Sequence, residues 1–86
     1  MNRAIEPYNL GTYHLNVTED YDRALSYFKL SIAANPEYSS AYGAAAECFI
    51  RKGDLVEAGK RIEAALSRWP RKAPFHHTMS FVLLKA

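Results

Sequence analysis

Apolar residues in this chain recur at intervals of three and four, and no stretch alternates apolar with polar as a half-buried strand would. Leu10, Tyr13, His14 and Val17 fall at i, i+3, i+4 and i+7, which predicts a first helix over residues 6–17 with these side chains inward. Ala24, Leu25, Phe28 and Ile32 predict a second over 21–34. Asp20 can cap it and Pro36 stops it, because proline lacks an amide hydrogen and disfavours helical geometry in the preceding residue. A third helix, opened by Ser39 or Ser40 and reaching Lys52, is rich in small residues: Ala41, Gly43, Ala44, Ala45 and Ala46. Gly53 closes it, and Asp54 with Glu57 has the spacing of a capping box for a fourth helix to Arg68. The fourth helix should bury Leu55, Ala58, Ile62, Ala65 and Leu66. Pro70 ends it, and Pro74 suits the first turn of a fifth helix through Lys85. Connections of about 2 to 5 residues make consecutive helices antiparallel neighbours, so the expected fold class is all-α.

The pattern also repeats. At an offset of 34, Asp20 falls on Asp54, Ala24 on Ala58, Ile32 on Leu66 and Pro36 on Pro70. Such a period, closed by proline and carrying small residues at fixed points, belongs to stacked helical hairpins, which bind other proteins far more often than they do chemistry. One irregularity breaks the echo: Gly11 to Ala24 spans 13 residues, whereas the matching Ala46 to Ala58 spans 12. An extra residue therefore sits in the first turn, within Asn16 to Asp20.

Composition narrows the class. The 86 residues are 49% hydrophobic, enough for one globular domain and too many for a disordered chain. No window approaches the roughly 18 apolar residues of a membrane helix, and the start, Met1 to Pro7, has no apolar signal region, so the expectation is a soluble cytoplasmic protein. Cys48 is the only cysteine, which excludes an intrachain disulfide and a cysteine-based zinc set. Residues 1–50 carry three basic and six acidic side chains, net −3, and residues 51–86 carry eight and three, net +5. That asymmetry either orients an acidic ligand or a second copy, or reflects ordinary solvated helix surfaces.

The repeated positions resemble those of the tetratricopeptide repeat family. The first unit supplies Leu10, Gly11, Tyr21, Ala24, Phe28, Ser31 and Pro36; the second supplies Tyr42, Ala45, Ala46, Phe49, Leu55, Ala58, Ile62, Ala65 and Pro70. A third begins at Ala73, with His76, Met79, Ser80 and Leu83. The resemblance implies repeat 1 over about residues 5–38, repeat 2 over 39–72 and a half repeat over 73–86, in one domain. It also implies a right-handed superhelix of antiparallel A and B helices, acting as a non-enzymatic adaptor, scaffold or small chaperone.

In that family the A helices line a concave face. The resemblance places there Tyr8, Asn9 and Thr12 from the first, Gly43, Ala44, Glu47 and Arg51 from the second, and His77, Thr78, Phe81 and Lys85 from the third. Spacing agrees, since His77, Phe81 and Lys85 are successive i, i+4 neighbours, as are Gly43, Glu47 and Arg51. Family members that clamp a C-terminal carboxylate use lysine, asparagine and arginine; the corresponding positions here are Tyr8, Thr12, Ala44, Pro74 and Thr78, which carry neither the donors nor the charge. No carboxylate clamp is expected. What remains is a groove with Tyr8 and Phe81 at its ends and an alanine–glycine floor, suited to an amphipathic helix or an extended peptide.

Two other readings arise from the residues. Phe75, Met79 and Leu83 are expected to pack inward from the fifth helix, leaving Phe81, Val82 and Leu84 uncovered. That surface is either a homodimer interface or the cut edge of a longer array. Arg51, Lys52, Arg68, Arg71 and Lys72, with Trp69 among them, form the basic set that a nucleic-acid reading would use, although cations at a helix C-terminus have a local reason to be there. Chemistry finds little support. His76 and His77 are adjacent, hence about 100° apart on a helix, and cannot share a metal; His76 is expected in the packing position that Tyr42 fills one repeat earlier. Cys48 reads as a small buried hydrophobe and Glu57 as a cap. With no phosphate-binding glycine loop or nucleophile triad, neither a cofactor, a metal nor an enzyme is expected.

Overall fold

The computed structural model describes residues 3–85, with the side chains of Ala73 and Lys85 outside the described set. Helices α1 (Ile5–Tyr13), α2 (Tyr21–Ala34), α3 (Ser39–Lys52), α4 (Leu55–Arg68) and α5 (Ala73–Lys85) follow one another, and a π-helical turn, His14–Thr18, ends α1. Among the described residues there is no strand. Each helix packs on the next, and α3 also touches α5 across α4, which is the stacking of one hairpin on another. The Cα envelope measures 35 × 28 × 16 Å, about two helices thick.

Capping follows the echo. Asp20 accepts the amide hydrogen of Arg23 and Asp54, 34 residues on, that of Glu57, both at 3.2 Å. Before each cap stands a left-handed residue, Glu19 with φ 56° and Gly53 with φ 85°. The Asp54 amide then reaches back five residues to the Phe49 carbonyl at 2.8 Å, whereas the Asp20 amide reaches back six, to His14, at 3.0 Å. The extra residue of the first unit is thus absorbed by widening one α turn to a π turn, leaving both caps in register.

Small residues set the packing distance. Ala24, Ala41, Ala46, Ala58 and Ala65 are fully buried, and the larger core side chains, Phe28, Phe49, Ile62 and Phe75, fill what the alanines leave. One cluster joins α1, α2, α3 and Ala58 through Leu15, Phe28 and Phe49; a second joins α3, α4 and α5 through Ile62 and Phe75. Trp69 rests against Tyr42 at 5.1 Å between centroids and Phe75 at 6.1 Å.

Several expectations are corrected. Leu10, Tyr13 and Val17 are exposed and His14 half-buried; the inward stripe of α1 is Ala4, Tyr8, Gly11 and Leu15, where glycine marks the closest approach to α2. In α5 the inward stripe runs Phe75, Met79, Val82 rather than Phe75, Met79, Leu83, because seven residues at 3.6 per turn return closer to the starting face than eight. Val82 is therefore 4% exposed and covered, and Leu83 is 69% exposed. Neither Ser39 nor Ser40 caps α3, whose N-cap is Tyr38 without a side-chain bond. Asp54 caps as expected, but the Glu57 carboxylate faces Lys60 at 3.8 Å and Arg61 at 3.9 Å. His76 is exposed, yet its Nε2 lies 2.6 Å from the Pro70 carbonyl, repeating at an offset of 34 the contact of the Tyr42 hydroxyl with the Pro36 carbonyl.

Candidate functional site

A groove of about 400 Å³ runs across α1, α3 and α5. Its lining includes Tyr8 and Thr12 of α1, Leu15 and Asn16 of the π turn, Gly43, Ala44, Glu47 and Arg51 of α3, and Phe75 and Thr78 of α5. A smaller crevice of about 240 Å³, between α3 and α5, shares Glu47 and Thr78 with it and adds Ile50, His77 and Phe81. Seven expected residues, Tyr8, Thr12, Gly43, Ala44, Glu47, Arg51 and Thr78, are therefore brought together. His77 and Phe81 lie in the adjoining crevice. Asn9 is exposed on α1 outside both, and the Lys85 side chain lies outside the described residues.

Local packing holds the walls. Tyr8 is half-buried, edge-on to Tyr38 with centroids 5.3 Å apart and tilted against Phe28 at 5.7 Å. At Gly43 the Phe75 ring packs where a side chain would stand, since a Cβ on residue 43 would lie 3.2 Å from Phe75 Cε1. At one end Arg51 donates to the Leu15 carbonyl at 3.3 Å and pairs with Glu47 at 3.7 Å, tying α3 to the π turn. The Thr12 and Thr78 hydroxyls donate to carbonyls of their own helices, Tyr8 at 3.0 Å and Pro74 at 2.9 Å.

Sequence reasoning missed Leu15, Asn16, Ser40 and Phe75 as lining residues. Asn16 follows Tyr8 and Thr12 at successive steps of four, and Ser40 precedes Ala44 by four, so the helical period carried both. Leu15 and Phe75 carried no such signal, since both are core residues whose edges reach the groove only through packing.

Away from the groove, Cys48 is fully buried, and its thiol is pushed up to about 11 by burial and, secondarily, by the neighbouring Glu47 carboxylate. A thiol so protonated is a packing group, not a nucleophile. Of the basic set, Lys52 bonds Asp22 and Arg68 bonds Glu37 and the Pro36 carbonyl. The Arg68 guanidinium also covers the Trp69 ring at 5.0 Å, while Arg71 and Lys72 are exposed. No group of three or more metal-ligating side chains occurs among the described residues, and none of their helices is long and apolar enough to cross a membrane.

Stacked antiparallel helical hairpins define a helical-repeat fold. Residues 18–84 match the tetratricopeptide repeat family profile, and the chain belongs to that family. Its repeats are non-catalytic units that generally mediate protein–protein interactions. No curated protein matches the chain.

Proposed function

We propose that this chain is a protein-interaction module, an adaptor or small chaperone, that holds a peptide segment of its partner in the groove of α1, α3 and α5. The convergence of Tyr8, Ala44, Glu47 and Thr78 from three helices on one concavity carries the reading. The half-buried Tyr8 ring and the Phe75 edge offer apolar contact, and the Glu47–Arg51 pair offers polar orientation at one end. Peptides selected from a displayed random library on the immobilised chain test it by amide chemical-shift mapping. Perturbations should concentrate at Thr12, Ala44, Glu47 and Thr78. Perturbations confined to α2 and α4 would overturn the groove.

A second reading has its own observation. On α5, Leu84 is 85% and Leu83 69% exposed, beside Phe81 at 43%, an apolar strip that a second copy could cover. Here the interface is Phe81, Leu83 and Leu84, with Val82 behind it. Sedimentation across micromolar concentrations should show a mass above one chain, reduced by Leu84→Glu; a constant single-chain mass rules this reading out.

A further inference from the structure

We infer that the apolar strip of α5 docks on the outer face of α1 and α2 in a second copy of this chain, so that copies join head to tail instead of as a two-fold pair; the inference rests on the self-association reading above. The repeat itself marks the receiving face. Ahead of the extra residue the two units align at 35 residues, Gly11 with Ala46, so Leu10 and Tyr13 stand where Ala45 and Cys48 stand in the second unit. Those two are buried in one cluster with Leu25 and Phe28 of the preceding helix, α2. In the second unit, then, a neighbouring hairpin covers this side of the A helix. In the first unit the same positions are exposed, together with Val17 four residues beyond Tyr13. His14, stacked on Tyr27 with centroids 5.5 Å apart, carries the surface across to the exposed Leu30 of α2.

The order of side chains along α5 decides between the two ways of pairing. Leu83 and Leu84 stand at the C-terminal end of its exposed face, and the same face continues N-terminally through Ser80, His77 and His76 to the exposed Arg71 and Lys72. The helix holds no carboxylate, and neither Arg71 nor Lys72 forms an ion pair among the described residues. Two copies of α5 laid antiparallel would set the leucines of each against the cationic end of the other. Laid parallel, they would set Arg71 and Lys72 against themselves. The outer face of α1 avoids both penalties. Glu6, exposed and without an ion pair among the described residues, precedes Leu10, Tyr13 and Val17, so a parallel arrangement brings a carboxylate toward Arg71 and Lys72 and apolar side chains toward Leu83 and Leu84. The other charges at this face are Arg3, which offsets Glu6, and the Asp20–Arg23 pair at 3.7 Å, so the face holds no net positive charge. Lengths agree as well, since eleven residues separate Glu6 from Val17 and eleven separate Ala73 from Leu84, roughly 16 Å of helix in each.

Sedimentation of the full chain and of two surface variants, Leu84→Glu on α5 and Leu10→Glu on α1, tests the contact once circular dichroism has shown both variants folded. A head-to-tail contact leaves one face of each end copy open, so the mass of the unaltered chain should keep rising with concentration past two chains. Each variant alone should stay at single-chain mass, because it lacks one of the two faces. Mixed in equal amounts, the variants should form a pair of one copy each and stop there, since the sound α5 of Leu10→Glu meets the sound α1 face of Leu84→Glu. A Leu10→Glu variant that associates as strongly as the unaltered chain overturns the head-to-tail contact and leaves self-association through α5 standing. A mixture that stays at single-chain mass also overturns the head-to-tail contact. Single-chain mass for the unaltered chain at every concentration up to millimolar overturns both.

Discussion

Gly11 lies so close to the ring of Phe28 that a Cβ at position 11 would fall 2.6 Å from Cε1 and 2.7 Å from Cδ1. Phe28 is fully buried and cannot swing away. Alanine favours a helix interior over glycine by about 1 kcal/mol, but overpacking a core costs about 1–3 kcal/mol, and with contacts this short the upper end applies, so Gly11→Ala should lose stability by up to about 2 kcal/mol. At Gly59 the nearest atom, Val82 Cγ1, would be 3.5 Å away, an ordinary contact. Gly59→Ala should therefore gain about 0.5–1 kcal/mol. Urea unfolding of both variants checks the pair, and equal shifts would contradict the close approach.

Ser31 is the one buried polar residue among those described, and its hydroxyl donates 2.8 Å to the Ala4 carbonyl across 27 residues. That carbonyl also accepts from the Tyr8 amide, so it keeps a partner when the hydroxyl is removed. Ser31→Ala should cost about 1 kcal/mol. Ser31→Val, which cannot donate and adds volume, should cost more, and thermal melts separate the two.

Burial raises the Cys48 thiol from 9.0 to about 11. The folded state thus favours the protonated form, and the stability this confers is present below pH 9 and lost as pH rises through 11. Base titration of unfolding should show a decline in that window that Cys48→Ala flattens. At pH 8 the thiol should react with an alkylating reagent no faster than the chain opens; rapid labelling of the folded protein would contradict its burial.

The π turn predicts a tolerated deletion. Val17 is 64% exposed, and removing it gives the first unit the turn length of the second. The variant should keep the Asp20 cap and lie within about 1 kcal/mol of the parent. Loss of folding on circular dichroism would show that the wide turn is itself required.

Tyr8→Ala in the groove and Phe81→Ala in the crevice beside it should each weaken a selected peptide by about 1–3 kcal/mol, as truncation of an apolar anchor does. Asn9→Ala, outside the lining, should leave affinity unchanged in isothermal titration. An Asn9 effect as large as that of Tyr8 would move the site to another face of α1.

The sequence by itself determined what depends on neighbours along the chain. Asp20, Pro36, Asp54 and Pro70 stop and start helices by local hydrogen bonding and sterics, and the 34-residue echo placed the hairpins because each repeats the same local choices. What needed the tertiary structure was the phase of each helix. Apolar residues at i, i+3 and i+4 say that one face is buried, but a glycine at the point of closest packing contributes nothing to that count. The stripe of α1 was thus read from Leu10 and Tyr13 when Gly11 and Leu15 face inward. Val82 and Leu83, adjacent and both apolar, could exchange roles until contact with Gly59 settled which one packs. The groove divided the same way: Tyr8, Thr12, Gly43, Ala44, Glu47, Arg51 and Thr78 were legible from repeat position, whereas Leu15 and Phe75 line it only because three helices meet there.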